Sequence, residues 1–448
     1  MRRPRRGPPP HDCGRLSRSS FPMAEVRPLR ALRYAPDVDL GLAICPPFDV
    51  ISPRERQRLL SLSPYNAVRL ELPQDGEDPY RAAAELLARW RAEGVLRRDE
   101  SPALYALEQA FVVEGREHRR RALFARVRLA PWEAGVVRPH EHTLRPPKED
   151  RLRLLRALRT QVSPVFGLCR DRQGALSTLL EDACRREPLA GFTDIEGGRS
   201  ALWVLEDGGS ASRLQEALAA ESIYIADGHH RYETALAYLE ECRARASCWT
   251  GDEPENFVLM GLVAAEDPGL VLLPLHRLVQ SDVPLERAVE AMVTLFDMET
   301  VPSLEHLLRA IGQRGRAITT FGMACAESPD LYLLSVLDVE AVTSLMPPGS
   351  PRQWAHIDTA VIQHAVLAPV LGIGEDRVRE GQVVQYTTDA QDALRQVREG
   401  KFRYAFFVGP ARPAQIMSVA DVGARMPPKS TYFYPKLPAG LVMYPLEP

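Results

Sequence analysis

The chain has 448 residues, of which 45% are hydrophobic and 26% are charged, and its formal net charge at pH 7 is −3. This length predicts about two to three domains, and the composition is that of an ordinary water-soluble protein with a large core. The charge offers no overall basic field to nucleic acid, and no apolar run reaches the roughly 18 residues of a membrane span. We therefore expect neither nucleic acid nor a membrane as a partner, and the oligomeric state stays open.

The cysteines and the first 22 residues bear on where the protein works. The seven cysteines form no C-x-x-C pair, which argues against a structural zinc site and fits scattered thiols in a reducing cytoplasm. Residues 1–22 are rich in Arg, Pro and Ser and lack the apolar core of a secretory signal. We expect this extension to be disordered or non-native, and we expect a chain beginning at Met23 to keep its thermal stability.

The N-terminal elements are predicted from Val26 onward. The short apolar run Leu40–Ala43 predicts a strand, and the double proline at 46 and 47 forces an extended loop. Ser52 is placed to cap a helix whose first residue is Pro53. Residues 66–72 alternate like a strand, with Arg69 and Glu71 on one side.

The rest of the chain mixes the two element types. Residues 80–93 predict an amphipathic helix, two strands flank a turn at Glu114-Gly115, and a basic helix covers 151–160. Strands and helices continue to alternate to the C-terminus, which indicates a mixed α/β or α+β fold. We expect domain-like regions at 23–210, 211–345 and 346–448.

The most informative stretch is Asp227-Gly228-His229-His230-Arg231. An apolar strand-like run precedes it and a helix-like run, 232–246, follows it. A carboxylate, two imidazoles and a guanidinium thus share one short loop at a helix N-terminus, where backbone N–H groups favour an anion. The pattern predicts a site for a phosphate-bearing ligand. The alternative is that Asp227 caps the helix and the other side chains are solvated.

Each residue of this turn has a candidate role. Asp227 can accept a proton from a hydroxyl group or hold a divalent cation. Arg231 suits bidentate contact with phosphate. His229 and His230 point in different directions if the segment is extended, so one can donate to phosphate while the other packs.

A second polar cluster is His140-Glu141-His142. In an extended segment His140 and His142 share one face, so they could bind a metal with a third ligand from elsewhere. The neighbouring Arg145 and Lys148 favour contact with a polyanion instead, and a solvated loop is the remaining alternative. From the nearby basic residues we infer Glu141 as a second carboxylate in one cleft with Asp227.

Two further loops leave alternatives open. The loop that ends at Asp49 can shape a pocket wall or serve as a plain helix entry. Lys429, in the polar loop 426–431, can reach an anion or belong to a strand that closes the domain. The two commonest nucleotide phosphate loops and the G-x-S-x-G elbow are absent from the sequence.

Five blocks of the sequence resemble the domain-of-unknown-function family 1015. They occur in order between residues 23 and 446, at 46–52, 66–73, 140–151, 225–232 and 427–431. Because several independent blocks recur together, the resemblance is specific. The family itself implies no settled activity.

The Asp-Gly-His-His-Arg block also resembles the phosphate-binding turn of the ParB and sulfiredoxin superfamily, which includes free serine kinases. The resemblance covers this turn alone and implies a ParB-like nucleotide-binding core with further α/β regions. It implies Asp227 as catalytic and Gly228, His229, His230 and Arg231 as contacts to ATP or ADP. To these we add His140 and Lys148 as further anion contacts and Glu141 as the second carboxylate, from the residues themselves.

Three functions are consistent with these features. The leading one is a cytoplasmic phosphotransferase that moves phosphate from a nucleotide or other donor to a small hydroxylated metabolite such as serine, with Mg²⁺ bridging. The second is a metal-dependent phosphohydrolase that uses water instead. The third is a non-catalytic module that senses nucleotide or associates with DNA. The sequence identifies no metal ligands.

Overall fold

The computed structural model describes residues 24–143, 145–206, 209–218, 221–379, 381 and 383–447. The expected N-terminal extension, residues 1–22, lies outside the described residues. Two units divide the described chain. The first comprises 24–139, 143–270 and 435–447, and the second comprises 140–142 and 271–434.

The first unit contains a mixed main sheet and separate strand pairs. Its strands are β1 (Val26–Arg27), β2 (Leu32–Tyr34), β3 (Leu96–Arg98), β4 (Ala103–Val113), β5 (Arg116–Arg128), β6 (Val137–Arg138), β7 (Thr160–Gln161), β8 (Val165–Cys169), β9 (Ala190–Thr193), β10 (Arg199–Glu206), β11 (Ile223–Asp227), β12 (Phe257–Ala264) and, past the second unit, β21 (Tyr444–Pro445). Its helices are α1 (Leu40–Ala43), α2 (Pro53–Leu62), α3 (Val68–Glu71), α4 (Pro79–Ala92), α5 (Arg145–Leu158), α6 (Ala175–Cys184), α7 (Ser210–Leu218) and α8 (His229–Arg245).

The order of strands in the main sheet is β6-β11-β8-β12-β5-β4-β10-β9, with β1 paired to β5, and the separate strand pairs are β2 with β3 and β7 with β21. The pairs β6–β11 and β8–β12 are parallel, and the remaining neighbours are antiparallel. Strands β8, β11 and β12 are buried at every position. Such continuous apolar strands belong in the middle of a sheet that is covered on both faces. The strand that leads to Asp227 is therefore held on both sides.

The second unit has its own antiparallel sheet. Its strands are β13 (Val271–Leu272), β14 (His276–Val279), β15 (Phe296–Val301), β16 (Thr320–Cys325), β17 (Leu331–Val336), β18 (Val384–Thr387), β19 (Tyr404–Phe407) and β20 (Phe433–Tyr434). Its helices are α9 (Leu285–Met292), α10 (Leu304–Arg314), α11 (Val339–Ser344), α12 (Asp358–Val361), α13 (Glu375–Arg379), α14 (Ala390–Arg398) and α15 (Pro413–Asp421). The sheet order is β15-β17-β16-β19-β14-β18, and β13 pairs with β20 separately.

The mixed α/β class is confirmed, while two local predictions are wrong. Residues 40–43 form α1 rather than a strand, because the Asp39 carboxylate accepts a hydrogen bond from the Gly41 N–H at 2.9 Å and starts a helical turn. Residues 68–71 form α3, because the Asn66 side-chain oxygen accepts from the Val68 N–H at 3.0 Å. Apolar runs this short fit either period.

The expected region boundaries differ from the two units. A boundary at 210/211 would separate β11 from β8, which are neighbours in one sheet. A boundary at 345/346 would cut the second unit, which continues to residue 434. The limits of the two units depend on which distant strands pair. Local sequence patterns do not show such pairing. Across the described ranges, no helix is both long and apolar enough to cross a membrane.

Candidate functional site

The Asp-Gly-His-His-Arg turn begins with an irregular strand end. Opposite β8, the register of β11 shifts between Ile225 and Asp227, and such a bulge re-aims the next side chain. Gly228 then takes φ 91°, in the left-handed region, and α8 begins at His229. A Cβ on Gly228 would lie 2.9 Å from the Arg231 guanidinium carbon. Glycine is therefore required both for the backbone turn and for the position of Arg231.

The carboxylate of Asp227 is clamped between two cations. One oxygen accepts from the Arg231 guanidinium and the other from the Lys436 ammonium. The side chains of Asp227 and Lys436 are each only 11% exposed. Burial raises the pKa of Asp227, but the charges of Lys436 and Arg231 outweigh it and hold that pKa well below its usual range. Asp227 is therefore ionised at any physiological pH.

The alternative in which Asp227 simply caps α8 is wrong. The N-cap residue of α8 is Gly228, so Asp227 lies one position before the cap, and its carboxylate pairs with Arg231 and Lys436. Arg231 is also fixed from a second side, because its guanidinium donates to the Pro164 carbonyl oxygen. The turn is a charge-paired cluster rather than a plain helix start.

A third cation, Arg120, interacts electrostatically with Asp227. It is fully buried on β5, donates to the Gln109 side-chain oxygen at 2.6 Å, and its guanidinium carbon lies 4.7 Å from the centre of the Phe166 ring. Burial lowers its pKa to about 9, while the charges of Asp267 and Asp227 oppose that shift. Arg231 and Lys436 thus both pair with Asp227 at a helix N-terminus, while the charge of Arg120 is balanced by Asp267 as well as by Asp227.

His229, His230 and Lys148 also belong to this neighbourhood. His229 is buried and its charge helps to lower the pKa of Asp227. Burial lowers the pKa of His230, against the charges of Asp49 and Glu233. The Lys148 ammonium on α5 donates to the Glu233 carboxylate on α8 at 3.0 Å. The positive charge of Lys148 also contributes to the lowered pKa of His230. Lys148 and the turn, about 80 residues apart in sequence, are therefore brought together.

The loop at 46–49 shapes the same region. The Phe48 N–H donates to the Glu71 carboxylate at 3.1 Å, and the Arg151 guanidinium carbon lies 4.2 Å from the centre of the Phe48 ring. Arg151 in turn donates to the Glu71 carbonyl oxygen at 2.5 Å. Burial raises the pKa of Glu71, only in part offset by Arg151 and other neighbours. The loop thus contacts Glu71 and Arg151 through Phe48.

His140 and Glu141 lie in the second unit. His140 is buried, and its Nε2 lies 2.9 Å from the Thr431 hydroxyl, which also donates to Glu141 at 3.4 Å. Lys429 is held in a turn at φ 59°, and its carbonyl oxygen accepts from Arg277 at 3.1 Å. That Asp227 shares one cleft with His140 and Glu141 remains a prediction.

Three residues of the candidate site could not be predicted from the sequence. Lys436 is 209 positions from Asp227, and its only signal was a tail rich in Pro, Lys and aromatic residues. Arg120 lies on β5, which follows the predicted turn at Glu114-Gly115. The sequence predicts Glu71 on one side of a strand, together with Arg69, but these residues lie in helix α3. None of them could be placed at the turn without the tertiary fold.

The turn does not fit Mg²⁺. Both oxygens of Asp227 already accept from cations, and within the described residues no group of three or more His, Cys, Asp or Glu side chains could hold a metal ion. A hard divalent cation needs several oxygen ligands. No step is therefore assigned to Mg²⁺.

The fold and site define a mixed α/β protein with a buried, cation-rich turn at a helix N-terminus. The chain belongs to the family described as "Protein of unknown function (DUF1015)", which matches residues 26–360. Four of the five expected blocks lie inside that match, and the block at 427–431 lies beyond it. No curated protein matches the chain.

Several solved structures resemble the chain at low identity. A conserved hypothetical protein from Pyrococcus furiosus is 12% identical, with a TM-score of 0.33, over 71% of this chain and 93% of that one. A free serine kinase in complex with AMP is 13% identical, with a TM-score of 0.33, over 70% and 86%. SbnI from Staphylococcus aureus, truncated at its C-terminus, is 11% identical, with a TM-score of 0.35, over 71% and 87%. Likeness at this level assigns no role to any residue.

Proposed function

We propose that this protein is a phosphotransferase that binds a nucleotide phosphate at the Gly228 turn. The observation that carries the proposal is the ion-pair cluster in which Lys436 and Arg231 converge on Asp227 at the N-terminus of α8. Two buried cations therefore converge at a helix N-terminus, a place where proteins commonly bind phosphate. A phosphate group would accept charge-assisted hydrogen bonds from the same donors.

The roles of the side chains follow from this arrangement of donors. Lys436, Arg231 and the first N–H groups of α8 stabilise the charge that spreads over the transferred phosphoryl group. His229, His230 and Lys148 extend the positive surroundings, and His140 is a further anion contact in the proposal. ATP or ADP is the proposed donor nucleotide. Free serine kinases similar to this chain have been solved with AMP and with ADP.

Asp227 orients the acceptor and takes its proton late. A carboxylate with so low a pKa is a weak base, so it cannot deprotonate an alcohol before bonding to phosphorus begins. In the loose transition state of phosphoryl transfer, the hydroxyl becomes acidic only as the new P–O bond forms. The acceptor in the proposal is a small hydroxylated metabolite such as serine. In this proposal Glu141 is the second carboxylate of the site.

A second candidate, a non-catalytic nucleotide-sensing module, is favoured by the same ion pairs. If the only task of Asp227 is to hold Lys436 and Arg231, the turn binds phosphate without chemistry. Turnover of labelled ATP and ADP by the full chain, with and without L-serine and glycerol, separates the two. Phosphorylated acceptor supports the transferase, tight nucleotide binding without turnover supports the sensor, and absence of both refutes the nucleotide site.

Two variants test the assignment of roles. Asp227→Asn keeps the size of the side chain but removes its charge, so turnover should cease while ADP binds as well as before or more tightly. Arg231→Ala removes a charge-assisted phosphate contact, so ADP affinity should fall by about 1–3 kcal/mol. Calorimetry with ADP measures both. Full activity of Asp227→Asn, or unchanged affinity of Arg231→Ala, would refute the proposal.

A further inference from the structure

A cavity of about 50 Å³ lies beside the turn, within the first unit. Its walls come from α5, α8, β7 and β12, and its polar lining includes Glu71, Thr160, Ser163, Arg231 and Thr234. The apolar part of the lining includes Leu154 and Val258. A single water needs about 10–15 Å³ measured in this way, so the cavity has room for about four water-sized groups.

Several polar atoms of this lining lack a hydrogen-bond partner within the described part of the chain. They include the hydroxyl oxygens of Thr160 and Thr234 and the Nε of Arg231. The two threonines are only 2% and 3% exposed. A buried polar group without a partner is costly, and native proteins rarely leave several of them around one space. The lining is therefore suited to a polar occupant.

The chemistry of the lining selects the occupant. Arg231 Nε–H offers a donor, Glu71 a carboxyl group, and the threonine hydroxyls can both donate and accept. A hydroxyl group, which also donates and accepts, matches such a mixed set, and Leu154 and Val258 suit its carbon atoms. A large or highly charged ligand does not fit the volume.

We propose that this cavity binds the hydroxyl-bearing end of the small acceptor alcohol. The proposal rests on the phosphotransferase function proposed above and gives its acceptor a place. Arg231 connects the two subsites, because its Nη2 donates to Asp227 in the turn while the same residue lines the cavity. Because Arg231 is common to the cavity and the turn, the proposal places the alcohol near the carboxylate and the phosphate position, which is the arrangement that transfer requires.

Binding of glycerol and L-serine to the full chain, measured by ligand-observed NMR in the presence of ADP, tests this assignment. Thr234→Val replaces a hydroxyl by a methyl of the same size, and the dissociation constants of both probes should rise by about tenfold or more. Ala235→Leu, which fills the cavity from α8, should abolish binding. Thr193→Val, an exposed position on β9, is the matched control and should change nothing.

Stability and nucleotide affinity are measured in the same samples. Because the Thr234 hydroxyl has no hydrogen-bond partner among the described residues, its loss should leave the thermal midpoint unchanged. Thr160→Val repeats the test if Thr234→Val does not fold. If neither probe binds the parent, or if all cavity variants bind like it, the assignment is overturned even where ADP binds. If probe binding follows the variants while ADP fails to bind, the cavity stands and the proposed nucleotide site falls.

Discussion

The clamp on Asp227 makes Lys436→Met the most informative single change. Methionine has a similar length and no charge, so the substitution leaves Asp227 with Arg231 alone. Two unit charges about 3 Å apart attract by roughly 5 kcal/mol at an effective dielectric constant of about 20. Part of this attraction is offset by the desolvation of the ammonium group. Because Arg231 remains, we expect the free energy of unfolding at pH 7 to fall by about 3 kcal/mol, the lower end for a broken buried pair.

Urea denaturation followed by tryptophan fluorescence measures this loss. Four of the five tryptophans lie in the first unit, so the signal reports mainly on the unit that contains the clamp. Lys148→Met is the matched control, because Lys148 is 39% exposed in its pair with Glu233. Such an exposed pair contributes less than about 1 kcal/mol. If the two substitutions cost the same, the clamp is not a buried ion pair and the electrostatic reasoning about the site fails.

The pH dependence of the unfolding free energy tests whether the clamp lowers the pKa of Asp227. A carboxyl group whose folded-state pKa is lowered contributes stability that is present above its unfolded pKa of about 3.9 and is lost as the pH falls through the folded value. In Lys436→Met the folded pKa of Asp227 should rise, so less of that contribution is left to lose. The difference in unfolding free energy between parent and variant should therefore narrow below about pH 4. A difference that stays constant from pH 7 to pH 3 would contradict this origin.

Three other predictions concern the same unit. Gly228→Ala should cost about 1–2 kcal/mol in urea denaturation, because a side chain is strained at φ 91°, and it should weaken ADP binding by displacing Arg231. Glu71 has a raised pKa, so the stability it contributes below its unfolded pKa is lost as the pH rises; Glu71→Gln should therefore gain stability relative to the parent between pH 4 and pH 7. Protonation of His230 below neutral pH adds positive charge, so sulfate, which does not titrate there, should bind more tightly at pH 5 than at pH 8 in calorimetry, and His230→Gln should flatten that trend.

Local patterns predicted the turn well because its chemistry is local. An apolar strand, a glycine and a helix start follow one another within a few residues, and the structure places β11, Gly228 and α8 there. Ser52 likewise caps α2, with its hydroxyl accepting from the Glu55 N–H at 3.2 Å. Caps and turns depend on neighbours in sequence, so the sequence displays them.

The partners of Asp227 could not be predicted in the same way. Lys436 reaches the turn because the C-terminal segment returns to the first unit, where Leu437 packs against Gly261 on β12. Glu71 reaches the cavity because its short helix α3 is stabilised by Asn66 and is not the strand that the alternation suggested. Both placements depend on contacts between distant segments. The sequence showed which residue types were available but not which of them meet.

The buried charges around Asp227 favour a ligand site over a structural ion pair. A structural pair needs one cation for one carboxylate, and further buried cations only add desolvation cost. Here Lys436 and Arg231 are both buried and both pair with Asp227 at the N-terminus of a helix. A phosphate at Gly228 would add negative charge where these donors already converge. Asp227 then acts as the counter-ion that keeps these donors in place.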